Sequence, residues 1–199
     1  MWTTGAAVDN CRNTTVSMVS IGGVTHVAEG DRPERFSTAR LVLRKVTPDD
    51  VDAMIAIHAD AEVVRFRPEG VSSPAESRQL FSAWLDHWAE FGFGYWAIEL
   101  ARSGDLIGFG GLQLSYSEDG PYLNVFYRLF PRHWGRGYAP EMVLAAPGWG
   151  RRAFPDLPIM IITPTVNAPA RRVAVKLGFT EVRRAWFQGT LCCFFRLPG

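Results

Sequence analysis

The segment Arg132-His133-Trp134-Gly135-Arg136-Gly137-Tyr138-Ala139-Pro140-Glu141 constrains this chain more than any other. It follows an aromatic run, Tyr122 to Phe130, that reads as a strand, and it precedes a run to Ala153 that reads as a helix. Two glycines two positions apart let the backbone turn sharply and expose successive N–H groups. The helix adds unpaired N-terminal donors and the positive end of its dipole, and Pro140 suits its first turn. Such a strand–loop–helix junction is either a plain tight turn or a pocket for an anion, above all a phosphate. The third glycine of G-x-G-x-x-G is missing, as is the Gly-Lys-Ser/Thr ending of a nucleotide loop. The pattern therefore points to a diphosphate ligand of another class.

Composition narrows the setting. At 199 residues and 47% hydrophobic, the chain is long enough for one domain with a real core. A net charge of +1 provides no long-range field for nucleic acid or a membrane surface, so neither is expected as a partner. No run of about eighteen apolar residues suggests a membrane span, and no basic-then-apolar leader marks a secretory signal. Cys11, Cys192 and Cys193 do not make a disulfide framework, and adjacent strand residues point to opposite faces. A reducing, cytoplasmic location is the expectation. His26, His58 and His87 lack metal-ligand spacing, so no metal is expected.

The organisation is that of one domain without repeats. Residues 1–37 read as a flexible leader and 38–199 as the folded domain. Leu41 to Val46 is a first strand. Thr47-Pro48-Asp49-Asp50 starts a helix with Val51, Met54, Ile55 and His58 on one face. Ser73-Pro74-Ala75-Glu76 is a capping box for a second helix, whose stripe is Leu80, Phe81, Trp84, Leu85 and Trp88 and whose stop is Gly92. A hairpin follows, Tyr95 to Leu100 and Leu106 to Leu114, then the aromatic strand, the glycine loop and a helix from about Pro140. Pro147-Gly148 predicts a kink or break in that helix near Ala145. Ile159 to Thr163, Asn167 to Leu177, Phe179 to Arg184 and Leu191 to Leu197 complete an order β-α-α-β-β-β-α-β-α-β-β. The fold class is a mixed α/β (α+β) domain with about four helices on a central mixed sheet.

Arg132-x-x-Gly135-x-Gly137-x-Ala139 resembles the R/Q-x-x-G-x-G/A coenzyme A motif of GNAT acetyltransferases. With Pro131, Trp134 and Tyr138 it is similar to the branch that includes the ribosomal-protein N-terminal acetyltransferases. Asn167 to Phe179 resembles that branch's N-x-x-S-x-x-x-x-x-K-x-G-F helix, Thr38 to Arg44 its first strand, and Leu106 to Leu112 its third. The likeness spans about residues 38 to 199 in order. It implies a mostly antiparallel, twisted sheet that splays between two parallel central strands, those ending at Phe130 and beginning at Ile159. It implies acetyl-CoA as cosubstrate, with the diphosphate on the N–H groups of Trp134, Gly135, Arg136, Gly137, Tyr138 and Ala139. Phe126, Tyr127, Arg128 and Leu129 would run beside the pantetheine arm, and Arg132, Asn167 and Lys176 would add further contacts. A backbone N–H near Tyr127 to Leu129 would polarise the thioester carbonyl.

The acceptor implied is an amine, either a protein N-terminus or a small molecule, acetylated by direct attack in a ternary complex. Two departures bear on the chemistry. Ala170 stands where the family often has a serine hydroxyl, and Asn124 where relatives often have a glutamate base. The remaining catalytic candidates are Asn124 itself, Tyr127 and Glu118. An acyl-CoA-binding module without transfer activity is the alternative. Monomer and homodimer both fit the resemblance.

Overall fold

The computed structural model describes residues 33–199; the expected leader up to residue 32 lies outside the described residues. The elements are β1 (Arg35–Ser37), β2 (Leu41–Lys45), α1 (Val51–Ala59), α2 (Pro74–Phe91), β3 (Tyr95–Leu100), β4 (Leu106–Ser117), β5 (Gly120–Leu129), α3 (Tyr138–Ala153), β6 (Ile159–Pro164), α4 (Ala168–Lys176), β7 (Thr180–Phe187) and β8 (Thr190–Arg196). Short 3-10 turns at Pro48–Asp50 and Pro131–His133 precede α1 and the glycine loop. The strands form one sheet in the order β1-β2-β3-β4-β5-β6-β8-β7. Every neighbouring pair is antiparallel except β5 and β6. This is the mixed, mostly antiparallel sheet expected, and four α-helices flank it.

Strand β1 falls inside the stretch read as leader. It pairs with β2 at Arg35–Arg44, Phe36–Leu43 and Ser37–Val42. The buried Trp96 Nε1 donates to the Pro33 carbonyl at 2.6 Å, and Phe36 meets the Trp96 ring edge-on. Three residues carry no readable period, so this strand is made by its partners.

Helix α2 starts as its sequence dictates. The Glu76 N–H donates to Ser73 Oγ (3.2 Å), and the Ser73 N–H donates to the Glu76 carboxylate (2.7 Å). Gly92, at φ +74°, ends it. Phe81, Trp84 and Trp88 are buried as expected, whereas Leu80 is 37% exposed at the edge of the stripe. On α1 the buried residues are Met54, Ile57 and His58, with Ile57 in the place expected of Ile55.

Helix α3 runs without interruption from Tyr138 to Ala153, so the expected break near Ala145 does not occur. Packing holds it together. Pro147 is buried in the α3 interior. Gly150 lies so close to the sheet that a Cβ there would stand 2.5 Å from Leu112 Cδ1. Trp149 wedges against Phe93, Trp96 and Phe154. Burial of this face outweighs the hydrogen bond that proline forgoes. Cys192 and Cys193 are both buried and unpaired, because β8 is covered on both sides.

Candidate functional site

Strands β5 and β6 pair only at Leu123–Ile159 and Asn124–Met160, then part. The Leu123 N–H donates to the Pro158 carbonyl at 2.8 Å, toward β6. Strand alternation aims the N–H groups of Val125 and Tyr127 the same way; the Asn124–Met160 pairing engages Val125, and Tyr127 is the first to point into the gap where β6 has parted. Val125 to Arg128 and Ile161 to Pro164 form the walls of this cleft. Asn167 and Ala170 of α4 close one side, and the α1–α2 connection, including Phe66 and Arg67, closes the other.

Beyond the end of β5, the chain turns through Pro131–His133 and enters the glycine loop. Gly135 and Gly137 hold φ of +71° and +79°, the left-handed region that glycine occupies without cost. Gly137 is the residue immediately before α3. Among the described residues, no backbone carbonyl accepts from the N–H groups of Gly135, Arg136, Gly137, Tyr138 or Ala139. A row of free donors at a helix start can hold an anion. Arg132 and Arg136 stand exposed beside it, and neither pairs with a carboxylate among the described residues.

Side chains fix this loop at both ends, and no site role was expected of Thr38, Arg40 or Glu141 among them. Glu141, in the first turn of α3, accepts from Thr38 Oγ1 (2.5 Å), the Arg40 N–H (2.8 Å) and Arg40 Nε (2.7 Å). Arg40 also donates to the Arg136 carbonyl at 2.9 Å and lies over the Tyr138 ring. Burial pushes the Glu141 carboxyl up, but the bonds from Thr38 and Arg40 outweigh it and hold its pKa below the ordinary glutamate value. At the other end, Trp134 Nε1 donates to the Leu129 carbonyl at 2.7 Å. Buried His133 accepts from Arg132 Nε at 3.0 Å, and its pKa is lowered by burial and by Arg132 and Arg136.

The two faces of β5 differ. Leu123 lies near Gly150 of α3, so Val125 and Tyr127 share the α3 face. The Tyr127 hydroxyl is buried without a hydrogen-bond partner, and burial raises its pKa to about 12. Asn124, Phe126 and Arg128 face α1 and α2. Asn124 Nδ2 donates to the Tyr95 hydroxyl at 2.7 Å. Phe126 packs against Trp84 and Tyr95. Arg128 Nη1 donates to His58 Nε2 at 2.7 Å. Burial, with Arg128 and Arg67 nearby, lowers the His58 pKa to about 3, so the imidazole stays neutral. Burial and Arg67 lower the Arg128 pKa to about 10.

Most of the expected site residues gather around this cleft and loop. Phe126, Tyr127, Arg128 and Asn167 line the cleft, Leu129 ties down Trp134, and Arg132 through Ala139 form the loop. Asn167 Oδ1 accepts from the Ala170 N–H at 3.2 Å and so caps α4 as well. Two residues stand apart. Lys176 is exposed at the far end of α4, and Glu118 is exposed at the β4–β5 turn, six positions before the strands part. That is roughly 20 Å of strand. Of the aromatics from Trp84 to Trp96, Trp84, Trp88, Phe93, Tyr95 and Trp96 all belong to the core, and Trp84 and Tyr95 also pack against Phe126 of the cleft. Among the described residues, no group of three or more His, Cys, Asp or Glu could hold a metal ion, and no helix is long and apolar enough to cross a membrane.

A model of the acetyltransferase (GNAT) domain matches residues 40–180. The chain belongs to the GNAT acetyltransferase family. This acetyltransferase is 27% identical over 147 residues to the uncharacterized N-acetyltransferase YoaA of Bacillus subtilis strain 168, covering 73% of this chain and 82% of that one. An acetyltransferase of known structure from Agrobacterium tumefaciens strain C58 is 23% identical with a TM-score of 0.72, over 83% of this chain and 94% of its own. RimL, a ribosomal L7/L12 alpha-N-protein acetyltransferase solved in complex with coenzyme A, is 16% identical with a TM-score of 0.67, over 82% of this chain and 97% of its own. The two structures share the fold. The GNAT acetyltransferase is an acetyl-CoA-dependent enzyme, and its open strand edges and free loop amides fit an amide-rich arm ending in a diphosphate.

Proposed function

We propose that the protein transfers acetyl from acetyl-CoA to a primary amine by direct attack in a ternary complex. The observation that carries this is the early parting of β5 and β6 beside a loop of free amides. The loop and Arg132 and Arg136 bind the diphosphate. The pantetheine arm pairs with the open edges of β5 and β6. The N–H of Tyr127 donates to the thioester oxygen and to the oxyanion that forms as the amine attacks. Asn167 at the start of α4 borders the same arm.

The amine enters from the α1–α2 side and must arrive without its proton. Asn124 cannot take that proton; its amide is spent on Tyr95. No Asp or Glu lines the cleft, so water accepts it. When the carbon–sulfur bond breaks, the thiolate needs a proton. Ala170 offers none, but the unpartnered Tyr127 hydroxyl can pass its proton to the sulfur while it takes up the proton that the attacking nitrogen sheds as the amide forms, and so ends neutral. A protein N-terminus and a small amine both satisfy this scheme.

Calorimetric titration with acetyl-CoA and with ATP tests the proposal. Selective binding of acetyl-CoA is expected. In Gly135→Val a β-branched residue would have to hold φ near +71°. The free loop relaxes away from that strain, and binding must restore it. Affinity should fall about 5- to 150-fold, the equivalent of about 1–3 kcal/mol. Indifference to both ligands would sink the reading. Binding without turnover on any amine would leave a cofactor-binding module.

A further inference from the structure

We propose that the amine acceptor carries a carboxylate a few bonds from its nitrogen, and that Arg128 and Arg67 grip that carboxylate on the α1–α2 side of the gap. This rests on the acetyl-transfer reading above and narrows its acceptor. Arg128 is a cation with no anion. Its guanidinium donates to a neutral imidazole, His58, and lies over the Phe126 ring at 5.3 Å. Its charge is perturbed by burial and by another arginine, and by no carboxylate among the described residues. Arg67 reaches the same cleft from the α1–α2 connection. It donates to Ser72 Oγ at 2.7 Å, and its nearest carboxylate, Glu69, stands 3.6 Å away and half exposed.

Arginines withdrawn from water are ordinarily paired. Arg128 has no such partner among the described residues, Arg67 has only the half-exposed Glu69, and with both on one cleft an anion between them relieves their repulsion. The planar guanidinium presents parallel donors that match a carboxylate. His58 holds Arg128 in place without neutralising it, because its ring stays uncharged. The diphosphate has its own site on the other side of Leu129, with free amides and Arg132 and Arg136. Arg128 is turned toward α1 instead. The same two cations lower the pKa of an amine held beside them. They thereby offset the missing base, and the carboxylate is what brings such an amine in. That carboxylate comes either from a free amino acid or from the side chain of an acidic first residue in a peptide.

The test measures kcat/KM at saturating acetyl-CoA on matched acceptors. Amino acids are compared with their carboxamides, and peptides beginning with Asp or Glu with those beginning with Asn or Gln. The acid member should be preferred by about tenfold or more in one set, and that set identifies the source. In Arg128→Gln the preference should collapse toward one, mainly through the KM for the acid member. Arg67→Gln should reduce it by a smaller factor, and it decides the matter if Arg128→Gln fails to fold. Equal use of acid and amide acceptors by the unaltered protein would overturn the proposal and leave acetyl transfer intact. So would a loss of acetyl-CoA affinity in Arg128→Gln that matches the loss of turnover on every acceptor, for the anion would then be the cosubstrate's. Failure of the unaltered protein to bind acetyl-CoA would remove both readings.

Discussion

The two faces of β5 are built by different means. Toward α3, the site is mostly main chain: free amides from Gly135 to Ala139, the open edge at Tyr127, and one unpartnered phenol. Toward α1 and α2, it is all side chain: Asn124 on Tyr95, Phe126 on Trp84, Arg128 on His58. Backbone donors recognise what every acetyl-CoA shares and depend on chain path alone. Side chains distinguish one acceptor from another and depend on identity and packing. The cosubstrate half should therefore fail when the path is bent, and the acceptor half when a single group is changed.

The sharpest contrast should appear in acid. His58 and His87 are buried on the α1–α2 side, with pKa values lowered to about 3 and about 4, first by burial. A buried histidine with a depressed pKa contributes its full stability above its ordinary value of 6.5, and that stability is lost as pH falls toward the folded value. At pH 5 the loss is about 2 kcal/mol for each, or about 4 kcal/mol together. Urea melts from pH 7.5 to 5 should show this decline, and His58→Gln should remove about half of it. An unchanged slope in that variant would mean that His58 is solvated.

On the opposite face, Tyr127→Phe separates chemistry from structure. Deleting a buried hydroxyl that has no partner should leave Tm equal or higher. If that hydroxyl protonates the thiolate, kcat should fall about 100-fold, the low end for acid catalysis because the thiolate is a fairly good leaving group. A kcat within twofold of the unaltered protein would assign that proton to water. Glu141→Gln should cost about 1–2 kcal/mol at neutral pH by weakening the clamp on Thr38 and Arg40, with a severalfold loss of acetyl-CoA affinity. The Glu141 pKa is depressed, so its contribution is present above the ordinary value of 4.5 and disappears as pH falls through the folded value. The stability difference between the two proteins should therefore narrow below pH 4.5. Smallest of all, Glu118→Gln and Lys176→Ala should change kcat/KM by less than about twofold, since both residues lie away from the cleft. A larger loss for either would mean that substrate extends well beyond the gap.

The sequence reading tracks this division. The loop, the capping box at Ser73, the cap at Asn167 and the succession of elements from β2 onward were legible, because each depends on neighbours within a few positions. Gly135 and Gly137 announce their left-handed backbone by having no Cβ. Other features carried no local signal. Strand β1 depends on Trp96, more than fifty residues away, and α3 passes Pro147 only because Gly150 and Trp149 are packed against the sheet. Ile57 rather than Ile55 is buried, because the face of α1 that turns inward is chosen by what it packs against.

By itself, then, the sequence determined the mixed fold, the glycine loop and the family, since backbone geometry follows from short spacings of Gly, Pro and capping residues. Only the tertiary structure decided which side chains meet across the gap. His58 and Arg128 are seventy positions apart, Arg40 and Glu141 about a hundred. No local period links such pairs. They become neighbours only when burial of the core draws α1, β5 and α3 onto one sheet.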